Sequence, residues 1–538
     1  MTSQQWRVGF SVSFVVVSVA LCGDGTVDAD DAIPPAPPDA VSSPQQTFEL
    51  TAWLDERFQE IWQANNVEPE ICDDGTYLRR VHLDLTGRIP SVAQTRDFLE
   101  NPAADKRAAL VQRLLVDSGD SGRNRDLFAE HQSRIWRRIL VPPGSNGAAM
   151  GPALDPWLAE RFRENTPYDE IVQRLLTSGE GEDARATQLF YSATGGSPDA
   201  YATTVTRVFL GVRVGCAQCH PHPFADWTQD DFWGMAAFFV TAVPAGEPFQ
   251  DAPPPDPTQP ARITYEGVTY EAKYLWDEKH ADIAEGATPT AALAEWMTAK
   301  GNPTFAETAV NRVWQHLLGR GLVADADELD LASPEERTLI LDDLAAMFED
   351  SGYDLRWLVT GITGSSAYQC VSETGDGAPA ALETGTRPLK TLTPEQVFDS
   401  LEQTLMLPVS QSSDDAARYN GQMAQIVSRL DETAGRSPEE YASGVPQVLM
   451  LMNGGVTADA TNLERSRTLR AVVDAPFLDE TAKIETLFLA ALTRQPTEKE
   501  RATLLEHVRS KETEDDRRKA YGEILWALIN SPEFVLCR

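Results

Sequence analysis

The chain has 538 residues, with 46 Lys and Arg against 82 Asp and Glu and a formal net charge of −36. So acidic a surface repels phosphate backbones and anionic lipid headgroups, so no nucleic-acid partner is expected and the charge favours a cationic redox or protein partner. With 42% aliphatic and aromatic residues the chain can bury a large core, and six cysteines over this length exclude a disulfide-built fold.

Residues 1–22 read as an export signal. Arg7 is followed by Val8 to Leu21, an almost unbroken apolar run of the size of a secretory leader and too short to span a bilayer comfortably. Cys22 follows directly in Val19-Ala20-Leu21-Cys22, which is similar to a bacterial lipoprotein cleavage box, although Leu21 replaces the usual small residue. Residues 23–47 form an acidic, Pro-rich linker suited to a tether. The expected location is outside the cytoplasm, in the periplasm or held to a membrane by a lipid on Cys22.

Residues 48–243 carry helical periodicity. Leu54, Phe58, Ile61 and Trp62 recur at spacings of three and four, as do Leu110, Val111, Leu114 and Leu115. Ser91, after Pro90, reads as the N-cap of a helix running to Leu99. Arg79 to Arg88 mixes charges of both signs before Gly87 and reads as a turn tied by Arg to Asp hydrogen bonds. Residues 244–287 change character, with Pro253-Pro254-Pro255 and then Ile263 to Tyr270 alternating around Gly267, the pattern of a short β-hairpin. From 288 to 538 helical periodicity resumes, with loops expected over 375–387 and 409–415. The fold class is therefore mainly α, a multi-helical two-domain body with a small β-hairpin excursion between the halves.

The sharpest motif is Cys216-Ala217-Gln218-Cys219-His220, followed by Pro221-His222-Pro223-Phe224. In c-type haem attachment two thiols at this spacing add to one edge of the porphyrin, and the next histidine gives iron an axial nitrogen. That attachment is made outside the cytoplasm, so the leader supports it independently. Haem c on Cys216 and Cys219, with His220 as proximal metal ligand, is the leading reading. His131 and His316, each on or beside an apolar helical stripe, and His222, Met235 and Met452 are candidates for a distal or supporting role. Zinc on Cys216, Cys219, His220 and His222 is the alternative cofactor, but all four donors fall within seven residues, whereas structural zinc sites draw ligands from separated segments. A plain disulfide between Cys216 and Cys219 is the third reading. Cys72, Cys370 and Cys537 form an odd set in which at most one internal pair can form. No nucleophile elbow, His-Glu-x-x-His or phosphate loop is present, and no catalytic residue is assigned.

The segment Tyr77 to Pro90, then Phe209-Leu210-Gly211-Val212-Arg213 leading into Cys216 to Phe224, with Trp227, Gln229 and Ala236 to Phe239, resembles domain of unknown function 1549. Asn302-Pro303, Val310 to Trp314, Gly319 to Val323, Gly352-Tyr353-Asp354, Ser366, Tyr368-Gln369, Leu451 to Asn453 and Arg494 to Thr497 resemble its companion, domain of unknown function 1553. The resemblance implies an exported, helix-rich, planctomycete-type protein associated with c-type cytochromes, without naming a reaction. His131, His222 and His316 fall where it places histidines; His82 falls where it places an aromatic residue. Two functions follow as expectations: a one-haem protein of extracytoplasmic electron transfer or haem-dependent redox chemistry, or a haem-free binding or assembly lipoprotein whose Cys-x-x-Cys-His segment is closed by a disulfide or zinc.

Overall fold

The structure, a computed structural model, describes residues 44–116, 126–177, 179–242, 261–332, 339–373, 384–406, 421, 462–463 and 466–538. The apolar leader, Cys22, the Pro-rich run, the loop at 409–415 and Met452 lie outside the described residues.

The body is mainly α, as the periodicity predicts. Up to the hairpin the helices are α1 (Pro44–Ala64), α2 (Asp74–Thr86), α3 (Val92–Glu100), α4 (Lys106–Val116), α5 (Leu127–Leu140), α6 (Asp155–Arg163), α7 (Tyr168–Leu176), α8 (Gly181–Ala193), α9 (Pro198–Leu210) and α10 (Gln229–Ala237). After it come α11 (Pro289–Thr298), α12 (Phe305–Leu318), α13 (Leu339–Asp350), α14 (Leu355–Gly364) and the short α15 (Ser366–Gln369). The last group is α16 (Pro394–Leu405), α17 (Arg467–Asp474), α18 (Glu480–Leu492), α19 (Glu498–Arg509) and α20 (Glu514–Ile529).

Local chemistry starts these helices where the sequence says it should. The Ser91 hydroxyl accepts the Gln94 N–H at 3.2 Å while the Gln94 side chain accepts the Ser91 N–H at 2.9 Å, closing a capping box at the head of α3. Thr228 with Asp231, Thr393 with Gln396 and Thr497 with Glu500 repeat it. Each such cap is worth about 1 kcal/mol. The hairpin also forms: β1 (Arg262–Tyr265) pairs antiparallel with β2 (Val268–Glu271), closing on Tyr265 opposite Val268. Its two-residue turn, Glu266 and Gly267, has φ of 49° and 81°, the left-handed pair that matches strand twist.

Packing ties early and late sequence together. One core runs from Leu50 to Cys370, with α1 against α14, α7 against α11 and α9 against α12. A second core is built from α16 to α20 plus Leu83 and Ile89. Helix α2 lies between them: Tyr77, Leu78, Val81 and Leu85 face the first core and Leu83 the second. Every α2 residue from Tyr77 onward is buried, the charged ones included.

This corrects the turn expected at Arg79 to Arg88. The Arg79 guanidinium donates to the carbonyls of Ala491 and Phe534 at 3.1 and 2.7 Å, and Arg80 donates to those of Arg538 and Cys370 at 2.7 and 2.9 Å. Buried guanidiniums persist because their donors meet carbonyl oxygens brought from the far end of the chain. Only the stop was placed correctly, since Gly87 caps α2 in the left-handed region with φ of 71°. Farther on, α5 is held to α16 by Arg137 and Arg138 on Glu395 at 2.8 and 3.1 Å and by Arg134 on Asp399. Burial would raise the Glu395 carboxyl, but Arg138 and Arg137 hold it down at about 2.

Candidate functional site

The Cys-x-x-Cys-His segment is a 3-10 turn, Val214–Gln218, laid between α9 and α10. With three residues per turn, side chains three apart eclipse. Val214 and Ala217 therefore point together into the core, fully buried, and Cys216 and Cys219 point together into solvent. The turn is anchored through its peptide groups: the Gln218 carbonyl accepts Trp233 Nε1–H at 3.2 Å and the Gln229 side-chain N–H at 3.1 Å. Both thiols are free, so the segment is not closed by a disulfide here.

His220 is exposed beside them. Its Nδ1 lies 2.8 Å from the Pro221 carbonyl oxygen. A carbonyl only accepts, so Nδ1 carries the proton and the neutral ring keeps its lone pair on Nε2, the arrangement that prepares a histidine for a metal. His222 is set the other way. Its Nδ1 accepts the backbone N–H groups of Phe224 and Ala225 at 3.2 and 2.9 Å, so its proton is on Nε2 and no lone pair remains for iron. His222 therefore holds the turn that follows the motif. Among the described residues, no group of three or more His, Cys, Asp or Glu side chains is placed so that it could hold a metal ion.

Two residues that spacing did not single out complete this site. Tyr265, at the end of β1, lies beside Cys219; its phenol is pushed up in pKa by the neighbouring Glu266 charge first, then by burial and the thiol. Trp233 stacks on Tyr265 with centroids 4.2 Å apart. The hairpin excursion thus serves as one wall of the motif. The alternation that revealed the strand could have marked Tyr265 as facing one side of the sheet, but nothing local says that side meets Cys219.

Residues 53–243 match the family model PSCyt2, a protein of unknown function (DUF1549), and residues 290–437 match PSD1, a protein of unknown function (DUF1553). The chain is a DUF1549–DUF1553 protein. No curated protein and no solved structure matches it.

In this DUF1549–DUF1553 protein no bond or ring contact among the described residues joins the remaining candidates to His220. Met235 is fully buried in the first core and acts as packing. His131 and His316 come together, ring centroids 5.7 Å apart, but at a centre on the buried end of α2. There Asp84 accepts Tyr368 Oη–H at 2.7 Å and Lys390 Nζ–H at 2.6 Å, and Lys390 also donates to the His316 carbonyl at 2.7 Å. The His316 Nε2 lies 3.2 Å from the Asp84 carbonyl oxygen and donates to it. Burial would raise Asp84, yet the Lys390 and Arg387 charges keep its pKa low, so the carboxylate stays ionised at 1% exposure. Burial drives His131 well below the usual histidine range and His316 down to about 4. A crevice beside His316, lined also by Gln132, Trp136 and Arg312, has room for about one water and none for a macrocycle. None of the bonds or ring contacts of His131 and His316 reaches the Cys216–His220 segment. Asp84, Tyr368 and Lys390 escaped sequence reasoning because they stand 284 and 306 residues apart.

Proposed function

We propose that Cys216 and Cys219 attach one haem c, that His220 is its proximal ligand, and that this DUF1549–DUF1553 protein works in extracytoplasmic electron transfer or haem-dependent redox chemistry. The observation that carries the reading is the joint display of two free thiols on one exposed face with a histidine whose Nε2 lone pair is left open by the Nδ1–H to Pro221 bond. The donor set fits the group: thiols to bind its edge, an imidazole to meet its iron, and an aromatic wall of Tyr265 and Trp233 beside them. When bound, a haem supplies one-electron chemistry at a potential set by its axial ligands and exposure. The protein's own residues orient it: Gln218 and Trp233 fix the turn, and the Pro221 carbonyl fixes the tautomer.

The short name of the matched family, PSCyt2, agrees with a cytochrome association. Export through residues 1–22 and a lipid on Cys22 belong to the same proposal, because haem attachment of this type is made outside the cytoplasm. No helix among the described residues is long and apolar enough to cross a membrane. The test is expression of the full chain in a host with haem-attachment machinery. The expected result is a Soret band and a denatured mass raised by one haem, both lost in Cys216→Ser with Cys219→Ser. An unmodified mass with colourless protein overturns the reading in favour of a haem-free binding protein.

A further inference from the structure

Eight large apolar side chains are exposed among the described residues, and four of them, Phe224, Val268, Trp276 and Leu331, are linked through short chains of contacts to the Cys216–His220 segment. Phe224 is 83% exposed and sits edge-on to His222. Trp276, 41% exposed, meets Trp227 at 5.7 Å, and the Trp227 indole donates to Asp330, the neighbour of Leu331. Val268 pairs with Tyr265, which stacks on Trp233, whose indole donates to the Gln218 carbonyl of the segment. Clustered exposed apolar groups of this kind mark an interaction face.

The charge around them is one-sided. The segments 213–242, 261–280 and 325–331 hold eleven carboxylates against four cations. Three of those cations are already paired within the same segments: Arg213 with Glu328 at 2.6 Å, Arg262 with Glu271 at 2.6 Å and Lys273 with Asp231 at 2.7 Å. Asp226, Glu266, Asp277 and Glu278 are exposed at the rim. An apolar centre inside an acidic rim is complementary to a partner with an apolar centre inside a basic rim.

We propose that the face formed by Phe224, Val268, Trp276 and Leu331 docks a cationic protein that approaches the Cys216–His220 segment. The docking requires no haem, so it stands beyond the functional reading above and is testable without it. Rim carboxylates steer the encounter and Phe224 supplies the contact that holds it.

The experiment measures association of the immobilised full chain with a lysine-rich c-type cytochrome of net positive charge, and with the same protein succinylated to net negative charge. Haem-free and haem-loaded preparations are run alike. The expected result is binding of the native probe alone, with an association rate that falls steeply between about 10 and 200 mM salt. Asp226→Asn, Glu266→Gln, Asp277→Asn and Glu278→Gln combined lower that rate about tenfold and flatten its salt dependence. Phe224→Ala leaves association intact and speeds dissociation about tenfold. Unchanged melting curves show that these exposed substitutions leave the fold alone. Equal binding of the succinylated probe, or an association rate indifferent to the four substitutions, overturns the proposal. So does binding of both probes that emerges only when residues 243–260 are exchanged for a Gly-Ser linker, which assigns the face to that segment.

Discussion

His220 and His131 carry the same ring and both enter as candidate ligands, one proximal and one distal, yet the fold treats them oppositely. His220 stands exposed, with Nδ1 bonded to the next carbonyl and Nε2 open to solvent beside two free thiols. His131 is 5% exposed, its Nε2 has no hydrogen-bond partner among the described residues, and burial keeps it neutral. The lesson is that a donor becomes a ligand only where access and tautomer are both arranged. At the α2 centre burial keeps the histidines neutral, and the Asp84 carboxylate is met by Lys390 with the Arg387 charge nearby. On the surface turn the same residue type is left free to react.

The strongest way to break this contrast is to cut the buried ion pair. Lys390→Met leaves the Asp84 carboxylate at 1% exposure with only the Tyr368 hydroxyl on its side chain among the described residues. The expected loss of unfolding free energy is about 3 to 5 kcal/mol, read from urea denaturation. Asp84→Leu combined with Lys390→Met should recover much of that loss, because both charges then disappear together. If Lys390→Met is neutral, the centre is wetter than the contacts imply and the comparison fails.

Acid should act on the buried centre next. His82, held near 3 by burial, His316, held near 4, and His131 stay neutral in the folded protein at pH 5 while the unfolded chain protonates them near 6.5. A depressed folded-state pKa means the unfolded state binds the extra protons, so stability falls as pH drops from about 7 toward 4. Each fully buried ring costs about 2 kcal/mol between pH 7 and 5. Burial raises Asp155 to about 6, so it takes up protons in the folded state and offsets about 1.4 kcal/mol. The three rings less the Asp155 offset leave a net loss of about 4 to 5 kcal/mol, to be followed by urea midpoints. His82→Phe should flatten the slope without harming stability at pH 7, since His82 Nε2 has no hydrogen-bond partner among the described residues and the family resemblance places an aromatic there.

What the sequence disclosed and what it withheld divide along the range of the interactions. Ser91 with Gln94, the alternating hairpin around Gly267 and the Cys-x-x-Cys-His turn are legible because their partners lie within a few residues. Arg79 and Arg80 are not, because their acceptors sit up to 458 residues away and a charged stretch without visible partners reads as a solvated turn. Tyr265 and Trp233 fall between: their strand and helix are legible, their meeting beside Cys219 is not.

Gly87 joins the local and the distant. It caps α2 at positive φ, and a Cβ there would come within 2.6 Å of His131 Nδ1. Gly87→Ala should cost about 2 kcal/mol, part backbone strain and part displacement of the ring. His131→Ala made with it should recover the second part, leaving a double-mutant coupling that measures how tightly the buried histidine is packed.

The smallest effect is expected where the chemistry is assigned. Cys216→Ser, Cys219→Ser and His220→Ala remove exposed groups whose anchoring runs through peptide carbonyls and through Val214 and Ala217. In haem-free protein each should change unfolding free energy by no more than about 0.5 kcal/mol. Tyr265→Phe, which removes the hydroxyl beside Cys219, belongs with them. A loss above about 1 kcal/mol from any of the three motif variants would make the segment part of the scaffold, and the division between a structural interior and a reactive surface turn would no longer hold.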